Sequence, residues 1–457
     1  MKELTLKQIA DWCGGTVAPE YETVPVTGVE SDSRKVEVGD LFVALRGERV
    51  DGHDFIPSAK TLGASAALVS RPSDELPCVV VESPLRAYGE IAKHYREMTG
   101  VKVVGITGSV GKTTTKEMIA SVLSRDFKLY KSEGNHNNEI GLPMTVMNMP
   151  EDTELLVAEL GTNHPGEIAY LSAIAQPDYA VITNIGIAHI EYLGSREGIL
   201  REKLDILRSS LKNTVGIFNG DEPLLWNVRD KGTHKKYYFG IDNPSCDVVA
   251  SGIQELDDGM RFHVSGFHHE FELFVPALGR HMVYNALAAA TVGLAMGVKP
   301  ETIQNELSIF RNTGMRQKIY EKNGMTIIED CYNAGPESTE AALGVLASVK
   351  TSGKRIAVLG DMLELGNRSS AEHYRIGRIA AQKADLLLTY GAHSVRTVTG
   401  AITGGMSPKN AEHFDTHEDL VRMLKMRAGE ADVILFKGSR GMKMERVLQM
   451  FLDDHEA

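Results

Sequence analysis

Residues 101–116, VKVVGITGSVGKTTTK, leave few choices for the fold around them. A β-branched run (Val101, Val103, Val104, Ile106) ends at Thr107 and Gly108, turns through Ser109, Val110 and Gly111, then enters helix-forming sequence at Lys112. Glycines let backbone N–H groups face phosphate oxygens, the lysine reaches the β/γ-phosphates, and the hydroxyl of Thr113 suits Mg²⁺. The full phosphate-loop pattern has a glycine where Ile106 stands, so this is a shortened TGxxGKT form. The expected nucleotide contacts are Thr107, Gly108, Ser109, Val110, Gly111, Lys112, Thr113 and Thr114. A strand passing through such a loop into a helix belongs to a parallel α/β sheet, whose ligands gather at the carboxyl ends of its strands.

The chain has 457 residues, room for about three domains of ~150 residues, each able to bury its own core. A net charge of −12 argues against a general nucleic-acid binder, because no basic excess exists to displace phosphate counterions. The start, MKELTLKQIADW, has no apolar leader core, and no run approaches the ~20 apolar residues of a membrane helix, so a cytoplasmic protein is expected. Cys13, Cys78, Cys246 and Cys331 match no zinc spacing and read as small buried residues in a reducing compartment.

Three composition zones follow. Residues 1–98 combine a helix over 4–13, stopped at Gly14–Gly15, with short strand-like pieces (VPVTGVE, DLFVALRG, AALVS, CVVVE), a small α/β head. Residues 99–314 alternate strand-like runs (DFKLYKS, LLVAELG, YAVITNI, TVGIFNG, KKYYFG) with helical segments, predicting a doubly wound, mostly parallel sheet. Residues 315–457 repeat the alternation (TIIEDCY, RIAVLGD, DLLLTYG, DVILFKG), predicting a second, Rossmann-like α/β domain and a cleft that closes.

Polar groups cluster at strand ends. Glu159 closes LLVAELG, His189 follows YAVITNIGIA, and the NHNNEIG turn carries Asn137, Asn138 and Glu139. A hard cation prefers oxygen, which pairs Glu159 with Thr113; the spacing leaves His189 open between a metal ligand and a satisfied, half-buried histidine. In REGILREKLDIL, the helical spacing of Ile199, Leu200, Leu204 and Leu207 leaves Glu202, Lys203 and Asp205 as a solvated face. The small-residue helix from Asn285 to Ala295 suits close packing. In the head, Ser31, Ser33 and Arg34 lie in a polar, glycine-rich stretch open to either a phosphate site or solvated turns. Chemically loaded loops close the strands at 330–336, 360–366 and 437–443.

TGSVGKTT, NNEIGLPMT, AELGTNHPGEI, AHIEYLGS, EDCYNAGPES, VLGDMLELG and KGSRGMKME, in this order, resemble the Mur ligase family, and the resemblance runs essentially end to end. VLGDMLELG, NNEIG and KGSRGMK resemble the branch that adds D-alanyl-D-alanine to UDP-N-acetylmuramoyl-tripeptide in peptidoglycan synthesis. The resemblance implies an ATP-dependent amide ligase acting through an acyl phosphate, with Lys112, Glu159, His189 and Lys203 as catalytic residues. It implies Mg²⁺, in two sites, on Thr113, Glu159, His189 and a carbamylated Lys203. ATP would be held further by Asn285, Arg316 and Asp330, although Met282 stands where the family more often has asparagine. The substrate residues implied are Ser31, Ser33 and Arg34 for the uridine nucleotide, Asn137, Asn138 and Thr162 for the sugar or peptide, and Asn333 for the second substrate. The protein is expected to work as a monomer without nucleic acid or membrane insertion. The alternatives are a sister ligase adding one amino acid, a folylpolyglutamate-type ligase, or a P-loop ATPase that ligates nothing.

Overall fold

The computed structural model describes residues 1–47, 49–208 and 213–453. In the head, strands Gly28–Glu30, Asp40–Val43, Ala66–Val69 and Cys78–Val80 form a parallel sheet in chain order. The predicted first helix spans Leu6–Cys13. Thr5 and Gln8 close a capping box at its start, which satisfies otherwise orphaned N–H groups, and Gly14 ends it in the left-handed region at φ 65°.

The central sheet has nine strands. Lys102–Thr107 lies between Leu155–Glu159 on one side, with Leu129–Lys131 beyond it, and Tyr179–Ile182 on the other, all parallel. The chain winds first to one side of Lys102–Thr107 and then to the other, so the phosphate loop emerges where the winding reverses. Beyond Tyr179–Ile182 the sheet continues through Val215–Asn219 and Lys236–Gly240. It then departs from the sequence expectation. Val248–Glu255 joins in parallel, but Met260–Gly266 and His269–Val275 add on as an antiparallel meander. Alternating burial along Met260–Gly266 marks a sheet with one face wet, unlike the fully buried Leu155–Glu159. Helix Arg280–Ala295 packs against helix Lys112–Leu123, and the approach is close enough that a Cβ on Gly293 would stand 2.8 Å from Val122 Cγ1.

The third sheet has the order Lys318–Lys322, Met325–Asp330, Val433–Lys437, Arg355–Gly360, Leu386–Tyr390, Ala411–Phe414, parallel except for its first strand. Helix Pro84–Thr99 joins head to centre. It buries Tyr88, Ile91, Ala92 and Tyr95, and Arg96 donates from Nε to Ala175 O at 3.1 Å and from Nη2 to Gln176 O at 3.0 Å. Of the four cysteines only Cys331 is buried; Cys13, Cys78 and Cys246 are half-buried. Among the described residues no helix is long and apolar enough to cross a membrane.

Candidate active site

A cleft of about 1320 Å³ opens between the central and third sheets, at the carboxyl ends of their strands. The phosphate loop forms its floor. Gly111 precedes helix Lys112–Leu123 at φ 82°, and a Cβ there would stand 2.8 Å from Asn285 Oδ1. Strain and crowding together therefore exclude a side chain. Lys112 Nζ donates to Gly108 O at 2.9 Å. Burial pushes its pKa down, Glu159 opposes the shift, and Arg316 adds to it.

Thr113 Oγ1 donates to Glu159 Oε2 at 2.7 Å, and Asn137 Nδ2 donates to Glu159 Oε1 at 2.9 Å. Glu159 is only 2% exposed, at the end of its strand. A hydroxyl and a carboxylate are the oxygen donors that suit Mg²⁺, which completes its shell with phosphate oxygens and water. Among the described residues no three histidine, cysteine, aspartate or glutamate side chains converge as a metal cage.

Lys203 is 3% exposed and Glu202 5% exposed, so the face of helix Arg196–Arg208 expected to be solvated is turned inward. Glu202 accepts from Gly166 N at 2.7 Å and Ile168 N at 2.8 Å, capping helix Glu167–Ala175, and from Thr162 Oγ1 at 3.3 Å. Apolar spacing did not reveal this, because a carboxylate on a helix start is buried by its hydrogen bonds and not by hydrophobicity. Lys203 has no hydrogen-bond or ion-pair partner among the described residues. Burial drives its pKa well below the ordinary 10.5, the nearby Lys112 pushes it the same way, and Glu202 opposes both.

His189 adopts a left-handed conformation at φ 59°, with Nδ1 against the Glu364 carboxylate of the third domain. That contact holds the Glu364 carboxyl below its usual range. Asn285 is buried and accepts from Thr115 Oγ1 at 3.2 Å. Across the cleft, Arg316 stacks 3.8 Å from the centre of the Tyr332 ring, and Lys437 Nζ pairs with Asp330 Oδ2 at 2.5 Å. Asn333 O accepts from Lys437 Nζ at 3.0 Å, while Asn333 Oδ1 accepts from Ala334 N at 2.9 Å.

The cleft gathers Ser109 to Thr114, Asn137, Asn138, Glu159, Thr162, His189, Asn285, Arg316, Asp330 and Asn333. It leaves others outside. Thr107 is a fully buried strand end, and Lys203 stands behind the cleft wall. Ser31, Ser33 and Arg34 lie apart on the head, where Arg34 is exposed and pairs with Asp32 at 2.7 Å. Asn138 Oδ1 accepts from Gly141 N at 2.8 Å and Thr162 Oγ1 also donates to His164 O at 3.0 Å, so both side chains brace loops within the protein. Sequence reasoning missed Asn184, whose Oδ1 accepts from Ser109 N and Val110 N, each at 3.0 Å. Its one signal was a place two residues past the strand beside the phosphate loop.

Family models match along most of the chain: the Mur ligase family catalytic domain over residues 25–107, the Mur ligase middle domain over 106–293, and the Mur ligase glutamate ligase domain over 315–440. The UDP-N-acetylmuramoyl-tripeptide–D-alanyl-D-alanine ligase of Bacillus subtilis is 41% identical over 460 residues, covering 99% of each chain. MurF from Acinetobacter baumannii superimposes with a TM-score of 0.90 at 32% identity over 99% of each chain. The MurF ligase of Thermotoga maritima in complex with ADP does so at 0.83 and 31% identity, over 94% of this chain and 98% of that one. A phosphate loop at the winding reversal, a buried hydroxyl–carboxylate pair beside it and a second α/β wall facing both, matched by these models and relatives from end to end, place this chain in the Mur ligase family.

Proposed function

We propose that the protein joins D-alanyl-D-alanine to UDP-N-acetylmuramoyl-tripeptide at the expense of ATP, giving the pentapeptide precursor of peptidoglycan. The observation that carries this reading is one shared cleft that faces Lys112, Thr113 and Glu159 with Arg316, Asp330 and Lys437 of the third domain. A carboxylate is a poor electrophile, and an amine would only form a salt with it, so activation must come first. An oxygen of the tripeptide's terminal carboxylate attacks the γ-phosphorus and the bond to ADP breaks. The dipeptide amine, having lost its proton, then attacks the acyl carbon, and inorganic phosphate leaves.

Lys112 offsets charge on the phosphoryl group in transfer, an electrostatic contribution whose removal at such sites lowers rates by about 10²–10³. Thr113 and Glu159 would hold Mg²⁺, which would supply Lewis-acid neutralisation of the phosphate oxygens. His189 and a carbamylated Lys203 belong to the second metal position in this reading. Carbamylation needs an uncharged amine, which burial and Lys112 both favour at Lys203, and the product places an anion beside the Lys112 ammonium. Asn285, Arg316 and Asp330 serve ATP, and Asn333 serves the dipeptide. Asn137, Asn138 and Thr162 lie toward the sugar and peptide, and Ser31, Ser33 and Arg34 hold the uridine nucleotide on the head. The domain division 1–98, 99–314 and 315–457 belongs to the same reading and is supported by the three larger sheets; its last residues, 454–457, lie outside the described residues. The protein acts in the cytoplasm as a monomer.

The test is ADP release with Mg-ATP and UDP-N-acetylmuramoyl-tripeptide, comparing D-alanyl-D-alanine, single amino acids and no acceptor. Release that depends on the dipeptide, with a pentapeptide product by mass, is the expected result. Dependence on one amino acid would indicate a sister ligase, and release indifferent to acceptor an ATPase.

A further inference from the structure

Backbone amides at the start of the phosphate loop should stand open for a phosphate, and here two of them do not. Ser109 N and Val110 N both donate to Asn184 Oδ1, at 3.0 Å each, Ser109 N also reaches the main-chain oxygen of Asn184 at 3.3 Å, and two N–H donors identify the facing atom of the side-chain amide as its oxygen. Thr183 Oγ1 fastens the same segment by donating to Val110 O at 2.6 Å. One acceptor oxygen thus engages two loop amides of the kind that can receive a phosphate oxygen.

The segment does not stop there. Gly186 N donates to Ser109 Oγ at 2.9 Å, and the next amide, Ile187 N, donates to Glu337 Oε1 at 2.9 Å across the cleft. Two residues on, His189 lies against Glu364, and Glu191 N donates to Glu364 O at 3.4 Å. One short stretch, 183–191, is therefore held by the phosphate loop at one end and by two glutamates of the third domain at the other.

We propose that Asn184 is a positioning residue that stands in for phosphate: the nucleotide displaces its amide oxygen from Ser109 N and Val110 N, and the release of Asn184 resets the 183–191 segment against Glu337 and Glu364. This rests on the nucleotide reading above. An acceptor that only braces the loop would help ATP bind. An acceptor that competes with phosphate hinders it.

The two roles predict opposite signs. The test measures binding of Mg-AMPPNP to the full chain by calorimetry for wild type, Asn184→Ala and Asn184→Asp, with melting temperature as a check on folding. Asn184→Ala removes the side-chain competitor, freeing Val110 N while Ser109 N keeps the main-chain oxygen of residue 184, and binds roughly 3–10-fold tighter, the effect of about one net hydrogen bond. Asn184→Asp keeps an acceptor on both amides, adds a charge that repels phosphate, and binds at least ~10-fold weaker. Hydrogen exchange supplies a second readout that a bracing role would not move: AMPPNP should alter protection of 183–191 in wild type and leave it unchanged in Asn184→Ala. Binding by Asn184→Ala no tighter than wild type, or exchange that responds equally in both, overturns the proposal. Should Asn184→Ala melt early, Asn184→Ser takes its place with the same expected sign. Absence of AMPPNP binding by wild type would instead overturn the nucleotide reading.

Discussion

Replacing Lys203 with methionine should make the protein more stable and nearly inactive. Its amine is buried, faces Lys112 and has no partner among the described residues, while Glu202 spends both carboxylate oxygens on the start of helix Glu167–Ala175. Leaving a polar group buried without a partner costs about 1–3 kcal/mol, more when it is charged. Methionine keeps most of the length and replaces the unpartnered amine with an apolar tip. A gain of about 2 kcal/mol follows, and for a domain of this size each kcal/mol moves the melting point by about 2–4 °C, so the central domain should melt about 4–8 °C later. Differential scanning calorimetry at pH 7, in degassed buffer with chelator, isolates the unmodified lysine. In parallel, acceptor-dependent ADP release should fall by at least ~10²-fold, the scale of losing one charge-stabilising group. An unchanged or lower melting point would refute the view that this lysine is strained in its apo form, and retained activity would refute its role.

Other outcomes follow from the same geometry. Lys203→Ala should lose most activity and regain part of it with added short carboxylates, which can occupy the position of the carbamate; full activity without them would dismiss that group. His373 is buried, with Nδ1 donating to Ser369 O at 2.8 Å and Nε2 accepting from Met362 N at 3.0 Å, and burial lowers its pKa below 6.5. Between that lowered value and 6.5 the unfolded chain binds a proton that the folded chain does not. Stability there rises with pH, by up to ~1.4 kcal/mol per unit, and the loss is complete below the folded value. The third domain of wild type should accordingly lose more stability from pH 7 to pH 5 than that of His373→Leu in calorimetric melts, and equal losses would contradict this. Burial pushes the Cys13 thiol up to about 11 and Cys246 up to about 12, so at pH 8 native protein should react with a thiol reagent far more slowly than the four thiols exposed in denaturant. Rapid native labelling at either position would count against that burial.

The architecture and the floor of the cleft were legible because each rests on local rules. The β-branched run before Gly108 and the lysine after Gly111 specify strand, loop and helix by conformation alone. Glu159 was legible as the last residue of a buried strand. The antiparallel meander over 260–275 was not, since its alternation differs from the continuous apolar runs that announce a parallel sheet. Lys203 was hidden for another reason. A lysine among Glu202 and Asp205 has the composition of a solvated face, and only the tertiary fold supplies the helix start that draws Glu202 inward and takes Lys203 with it. The resemblance to a family, not the helical spacing, brought Lys203 to notice. Asn184 was missed because its partners are main-chain amides, which carry no residue signature, and only its place past the strand pointed to it.

Helix Pro84–Thr99 has a further meaning. With Tyr88 and Tyr95 fully buried and Arg96 bonded to the main chain at Ala175 and Gln176, the head is welded to the layer that carries the phosphate loop. With the uridine end held at residues 31–34 as proposed, the span from that anchor to Lys112 becomes a fixed gauge. A sugar-peptide that is one residue short leaves its carboxylate shy of the γ-phosphate, and one that is too long overshoots it. On that reading, selection among precursors of different length would rest on the distance between two anchors.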